Sequence, residues 1–544
     1  VKEWRIPNSG ILVRILCHRN KMSQIRAILE ERGWDWRSIA LGGAASLGGG
    51  LLGVYAFRKL RQKRRARGAP LPYPLPFHPI FQNIPLLAER VEKRKEHVDA
   101  VLMDLMASQK HLGKLFRLRV LTMDLVVVCD ADAAKEITQQ KNYPKSPTYD
   151  TLHPFIGAKS MVCSEGKVWS KQRKAFAPGF QFAFLKDLVP TFASKTQLLI
   201  DRFARAADTG EVLSFHTEAV LLTVDVICQV ALSVNFGYLT SKEPPEIFYL
   251  FNELLTNTAE LARAPHTAWM RFLPWVYMRS RNIQKRFDSI LIRVIQHRLT
   301  ETQQEDPLAT GPRDILGLAI KTARDAKAEE GGGALDLEDV LAQVKTFLFA
   351  GHDTTASTAA FTVYEISRNP EVEAKVLEEV DRVCGGKPPS SDDLTRGGLK
   401  YLGCVIKESL RLWPPGGTAR IAPPGATLQG YDIGGRPIYL PHFPIHRDPD
   451  YWGPDAAEFK PERWLDEAYL AKLHPCCYMP FSKGARDCIG QTFAIMEVKT
   501  LLAMLYSNYT FKYACAEPEG QAYRITSYPK NRVPVTVHSR SRQK

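Results

Sequence analysis

The segment 481–490, FSKGARDCIG, sets one cysteine in a short loop, behind an arginine and ahead of a helix-forming run, QTFAIMEVKTLLAML. Cysteine is more often a small buried hydrophobe than a ligand. A thiolate at Cys488, however, would face the free N–H groups and positive end of the following helix, which stabilise negative charge and suit a metal ligand. Gly484 and Gly490 would let the backbone approach a flat cofactor closely. Phe481 can pack over the sulfur and keep water away, and Arg486 offers a clamp for a carboxylate.

Three further patterns could join it. In WSKQR, Trp169 and Arg173 stand one helical turn apart, so an indole N–H and a guanidinium share one face that could bind a buried carboxylate. In KESLR, Glu408 and Arg411 form a three-apart ion pair. Such pairs are usually solvated and worth little, but the apolar context CVIKESLRLWPP favours burial, and Arg463 in PERW can complete a network of three. In AGHDTT, residues 350–355, Asp353 and Thr354 place an acid beside an alcohol, which could relay protons to a bound ligand. The plainer reading is a threonine bonded back to its own helix carbonyl.

The elements that must position these groups are mostly helical. Residues 115–130 read as a strand pair followed by a helical stretch, and most of 185–383 has helical spacing, with loops at 241–245, 306–312 and 331–333. One helix stands out. It has Asp336 as N-cap and Asp339 in its first turn, and it stops at Asn369-Pro370. At ~1.5 Å per residue it is ~50 Å long, enough to cross a domain. Gly351 and the adjacent threonines at its centre are poor helix formers, so a local distortion is expected there.

Taken together, these motifs resemble the cytochrome P-450 haem-thiolate monooxygenases. F-x-x-G-x-R-x-C-x-G, A-G-x-D-T-T, E-x-x-R and P-E-R match at every defined position, and the resemblance runs from about residue 70 onward. It implies a mainly α fold with small β-sheets. Cys488 is then the axial iron ligand, and Trp169, Arg173, Arg420 and Arg486 meet the haem propionates, with Phe481 beside the thiolate. Glu408, Arg411 and Arg463 become a structural network, Asp353 supplies protons, and Thr354 holds reduced oxygen by a hydrogen bond. The implied reaction inserts one atom of O2 into a lipophilic substrate: a fatty acid, sterol, terpenoid or carotenoid. The wording FSKGARDCIGQ and AGHDTT is nearest to the fatty-acid hydroxylase group. Many of its members carry glutamate where this chain has Ala350 and use it to esterify the haem, so a non-covalent haem b is expected here. A peroxide-rearranging isomerase or dehydratase and a non-enzymatic haem sensor or membrane interaction protein are the competing classes; the acid–alcohol pair favours the monooxygenase over both.

The remaining sequence speaks to location. The chain has 544 residues and a net charge of +15, but the excess is local rather than spread as a nucleic-acid surface: 58–67, RKLRQKRRAR, holds seven basic residues and no acidic one. It follows the uncharged apolar run 39–57, which reads as a transmembrane anchor with a cytosolic basic flank, Gly49 and Gly53 forming a small-residue pair within it. The expected order is an N-terminal segment 1–38 (1–21 preceding a start at Met22), the anchor 39–57, a basic and Pro-rich linker 58–85, and a catalytic domain 86–544. The proline-rich part, 69–85, is expected to act as a spacer. The acidic residues before the anchor argue against a transit peptide. An endoplasmic reticulum membrane with a cytosolic catalytic domain is expected, a plastid or other organelle membrane being the alternative. Electrons would come from a separate NADPH-cytochrome reductase or similar flavoprotein, and no nucleic-acid partner is expected. Ten cysteines without a repeated spacing suit a reducing compartment. By resemblance the pocket is lined by the loop before Trp169, by 248–275 and by 416–422; the aromatic run 269–278, WMRFLPWVYM, would meet a membrane surface.

Overall fold

A computed structural model describes residues 68–540, apart from 79–81, 95, 121–122, 242–243, 264–273, 305–313, 331–334 and 396. The expected anchor and its basic flank lie outside the described residues, as do residues 269–273 of the aromatic run. The compact body comprises residues 70–544.

Its longer helices are α1 (Val98–Ser108), α2 (Gly166–Phe176), α3 (Val189–Thr209), α4 (Phe215–Leu232), α5 (Glu246–Arg263), α6 (Pro274–Gln304), α7 (Ile315–Glu330), α8 (Leu337–Arg368), α9 (Pro370–Cys384), α10 (Lys400–Leu412) and α11 (Gln491–Asn508). Strands are β1 (Leu115–Val120), β2 (Met123–Val128), β3 (Leu213–Ser214), β4 (Thr418–Ile421), β5 (Thr427–Leu428), β6 (Tyr431–Asp432), β7 (Pro437–Leu440), β8 (Tyr509–Tyr513), β9 (Gln521–Tyr523), β10 (Ser527–Pro529) and β11 (Pro534–Ser539). One sheet has the order β1-β2-β7-β4 and another β3-β11-β8; β5–β6 and β9–β10 are two-stranded. The β1–β2 pair is the antiparallel hairpin expected over 115–130, and β7 lies parallel to β2 and antiparallel to β4. This is a mainly α fold with small sheets.

Helix α8 organises the body. Its start is a reciprocal cap: the Asp339 N–H donates to Asp336 at 2.6 Å and the Asp336 N–H to Asp339 at 3.2 Å. Pro370 opens α9, so the chain stops one helix and starts the next at the same point. Packing against α4, α10 and α11 buries most of the α8 side chains. Among the described residues α4 alone is long and apolar enough to cross a membrane, but its surface is largely buried in this core.

Two expectations change. The centre of α8 remains regular α-helix through Gly351 and the threonines. Glycine there serves helix contact rather than distortion: a Cβ on Gly351 would sit 3.2 Å from Ile227 of α4. The Thr354 hydroxyl bonds back to the Ala350 carbonyl at 2.6 Å, as Thr346 and Thr358 do to Ala342 and Thr354, which satisfies them without breaking the helix. The proline-rich stretch is also no spacer where it is described. Leu71 is buried in the core around the first sheet, the Pro72 carbonyl accepts from Arg117 N–H at 2.8 Å, and buried Asn83 bonds the Pro74 carbonyl at 3.1 Å. The body therefore starts near residue 70 rather than 86.

Candidate haem site

The loop before α11 owes its shape to Gly484. Its φ is +82°, and a Cβ there would lie 2.0 Å from the Thr138 carbonyl oxygen, so only glycine fits. The Cys488 N–H donates to the Phe481 carbonyl at 2.9 Å and Asp487 N–H to Gly484 at 3.1 Å, closing the loop on itself. Cys488 is the one exposed cysteine among the described residues, and what it faces is an internal cavity of about 320 Å³. Burial within the protein pushes its thiol up from the ordinary value, while the Gly490 N–H and Arg173 pull it down. A cation at the sulfur would reverse the net rise and favour the thiolate.

Ala350, Gly351 and Thr354 of α8 line the same cavity, with Phe481 and Gly490 of the cysteine loop. Trp169, Arg173 and Arg486 line it too, while Arg420 lies fully buried on β4 nearby. Arg173 binds Asp487 through its backbone carbonyl at 2.9 Å and its carboxylate at 2.7 Å, which ties α2 to the cysteine loop. The Arg486 guanidinium stacks 4.5 Å from the Trp169 ring and donates to the Ser164 carbonyl at 2.7 Å.

Arg173 is paired with Asp487 and one Arg486 nitrogen stands 3.3 Å from Glu165, yet donors remain unmade. All three guanidinium nitrogens of Arg420 are buried without a hydrogen-bond partner, as is one of Arg486. Burial lowers the pKa of Arg420, and that of Arg486 to about 10. Lys145, which also lines the cavity, is held down by burial and then by Arg420 and Arg486. Burial would push the Tyr149 hydroxyl up, but Lys145 and its neighbours outweigh it and bring it to about 8. Leaving buried donors unmade is costly, so the cluster is shaped for an added carboxylate group. A thiol at one part of the cavity and unmade guanidinium donors near another have the chemistry that a haem needs, a soft ligand for iron and donors for carboxylates.

The acid and the alcohol of α8 do not meet. The Thr354 hydroxyl donates to the Ala350 carbonyl at 2.6 Å, the plainer of the two sequence readings. The Asp353 carboxylate instead accepts from Thr526, in the turn between β9 and β10, and Thr526 lines the cavity. Burial would raise Asp353, but His352, His216, Thr526 and Arg524 hold it below the ordinary carboxylate range. His216 stands 3.9 Å away and is bonded at 3.0 Å to Arg532.

Glu408, Arg411 and Arg463 do come together, all buried. Glu408 takes Arg411 at 2.7 and 2.9 Å, Arg463 at 2.9 Å and the Trp464 indole at 2.9 Å. Arg411 spends its remaining N–H groups on the carbonyls of His446, Ala456 and Glu458. Lys145, Tyr149, His442 and Thr526 carried no sequence signal. Each is a lone residue outside any motif and reaches the cavity only through the fold. Of the expected pocket segments, the loop before Trp169 contributes Met161 and Val162, and 416–422 contributes Gly416, Gly417 and Thr418. The described part of 248–275 contributes nothing to the lining; Phe251 packs behind it, against Phe155 and His352.

The family model for cytochrome P450 matches residues 72–526. Cytochrome P450 4V2 of Rattus norvegicus is 30% identical over 472 residues, which covers 83% of this chain and 85% of that protein. Secologanin synthase 1 of Catharanthus roseus is 31% identical over 415 residues, 74% of this chain and 75% of that protein. The crystal structure of the cytochrome P450DA heme domain superposes with a TM-score of 0.73 at 24% identity, over 87% of this chain and 97% of that one, a likeness of fold. With the cysteine loop, Arg173, Arg486 and the long helix lining one cavity, and the family match spanning nearly the whole body, this chain belongs to the cytochrome P450 family of haem-dependent monooxygenases.

Proposed function

We propose that the protein is a membrane-anchored monooxygenase that oxidises a lipophilic substrate with electrons from an NADPH-dependent reductase. The observation that carries this reading is the junction of Cys488, the carboxylate-seeking arginines and a hydroxyl-linked acid on one largely apolar cavity. When bound, the haem iron activates dioxygen and the substrate C–H bond is oxidised. Cys488 would ligate the iron, and Arg420, Arg486, Arg173 and Trp169 would fix the propionate edge. Phe481 would shield the sulfur. Ala350 lines the cavity and carries no carboxylate, so the haem would be a non-covalent haem b.

The remaining residues manage protons and water. Asp353 would deliver protons to the cavity through the Thr526 hydroxyl, the partner it already holds. Thr354 spends its proton on Ala350 and keeps its lone pairs, which lets it accept a hydrogen bond within the cavity. The apolar run 39–57 would anchor the chain in the endoplasmic reticulum with the body in the cytosol, and a substrate would enter from the lipid. A fatty acid, sterol, terpenoid or carotenoid suits that route.

Two measurements test the reading. The carbon monoxide difference spectrum of the reduced protein should show a thiolate-type Soret band that Cys488→Ala abolishes; a retained band would move the ligand to another cysteine. Mass spectrometry of a lipid panel incubated with reductase, NADPH and 18O-labelled dioxygen should give a product carrying the label. Product formed equally without NADPH and oxygen would instead indicate peroxide rearrangement.

A further inference from the structure

We propose that His442 is a binding residue for a haem propionate, donating a ring N–H to the carboxylate that Arg420 also holds. The proposal rests on the haem site described above. His442 opens the short helix His442–His446, directly after β7, and β7 pairs with the strand that carries Arg420. His442 lines the cavity while being only 2% exposed, and Arg420, buried behind the lining, is close enough for its charge to act on the imidazole.

The other buried histidines all have work to do for the fold. His97 bonds Ser527 at 2.7 Å, His216 bonds Ser357 at 3.2 Å and Arg532 at 3.0 Å, and His352 bonds the Leu348 carbonyl at 2.6 Å. His446, stacked on His442 with centroids 5.7 Å apart, accepts from the Met479 N–H at 2.9 Å. His442 differs. Neither of its ring nitrogens has a hydrogen bond, and the Gly416 carbonyl beside it makes none of ordinary geometry. A buried imidazole left unpaired in this way is costly unless a partner arrives with the ligand.

The surrounding charges identify that partner. Burial, and then Lys145 and Arg420, push His442 down to about 4, so it stands neutral among cations. A neutral imidazole adds a donor here without adding a third positive charge. The fully buried Arg420, with all three nitrogens unpaired, needs an anion close by. A carboxylate satisfies both, taking a charge-assisted bond from the guanidinium and a second bond from the imidazole, which fixes the plane of the group.

The test compares wild type, His442→Ala and His442→Gln as holoproteins, by haem transfer to excess apomyoglobin and by the propionate bending mode in the resonance Raman spectrum. Losing one hydrogen bond to a charged group should speed haem transfer by roughly tenfold or more in His442→Ala. The bending mode should shift in that variant, and glutamine, which keeps an N–H donor, should restore part of both. An unshifted mode overturns the proposal whatever the transfer rate does, because faster loss alone would mean only looser packing. If alanine prevents folding, a wild-type mode and transfer rate in His442→Leu, or failure of glutamine to differ from leucine, overturns it equally. Failure of the haem site itself has another signature: wild type would show no thiolate-type spectrum at all.

Discussion

Asp353 accepts its hydrogen bond from Thr526, a residue 173 positions away, rather than from its neighbour Thr354. Adjacent residues on an α-helix point about 100° apart, so an acid–alcohol pair in sequence is not a pair in space. Thr526→Val should leave folding and haem loading intact while removing the hydroxyl between Asp353 and the cavity. With reductase and NADPH, hydrogen peroxide released per NADPH should rise and product should fall, toward the ~10²–10⁴-fold scale of a lost proton-transfer group. Thr526→Ser should recover most of the coupling; unchanged coupling in the valine variant would take Thr526 out of the proton route. Glu408 presents the opposite case, a residue whose importance is structural. Glu408→Ala would leave Arg411 buried with uncompensated charge and Arg463 with only Asp455 at 3.4 Å, at a cost of roughly 3–5 kcal/mol. Haem content per purified chain should collapse, and a fully loaded, equally stable variant would contradict the buried network.

At the scale of elements, the cysteine loop is positioned by a contact that its own sequence does not contain. Thr138, in the stretch after β2, presents its carbonyl where any side chain at 484 would have to go. Gly484→Ala must therefore adopt positive φ and displace backbone at once, and the loop should shift as a unit. The expected result is folded protein with most of its haem lost, seen as a low Soret-to-protein absorbance ratio with little change in far-ultraviolet circular dichroism. Full haem loading would mean that the loop can move away from Thr138. The same contrast explains what could be seen in the sequence. The helix from Asp336 to Asn369 was legible because caps and breakers act locally, and the β1–β2 hairpin because alternation is local. Gly351 was read as a source of distortion because Ile227, the side chain it makes room for, lies on another helix. The proline-rich stretch read as a spacer because its anchors, Arg117 and the core around Leu71, come later in the chain. Long-range partners decide both, and spacing within a motif carries no trace of them.

Across the whole molecule, the buried ionisable groups set how the fold responds to acid. Burial lowers His97 and His216 from their ordinary value, to about 4 and about 3, and lowers His352 and His446 as well. These groups stay neutral in the fold while the unfolded chain protonates them, so their stabilisation is present above about 6.5 and is lost as the pH falls toward 4. Four carboxyls among the described residues oppose them. Burial raises Asp99 to about 7 against the bond from Tyr439, and raises Glu365, Glu373 and Glu497. A raised carboxyl keeps its proton in the fold, so its contribution is fully present below about 4 and is lost as the pH rises through 7. With His442, also lowered by burial to about 4, five histidines face these four carboxyls in the shared window, and the holoprotein should lose a little stability between pH 6.5 and 5. Each excess proton taken up by the unfolded chain contributes about 1.4 kcal/mol per pH unit. Asp99→Asn separates the two effects, because it removes one of the opposing carboxyls and keeps the Tyr439 hydrogen bond available at 2.8 Å. Urea midpoints at pH 7.5 and pH 5 should fall further in the variant than in wild type. A wild-type midpoint that rises on acidification would refute the histidine argument, and parallel shifts in the two proteins would return Asp99 to the ordinary carboxylate range.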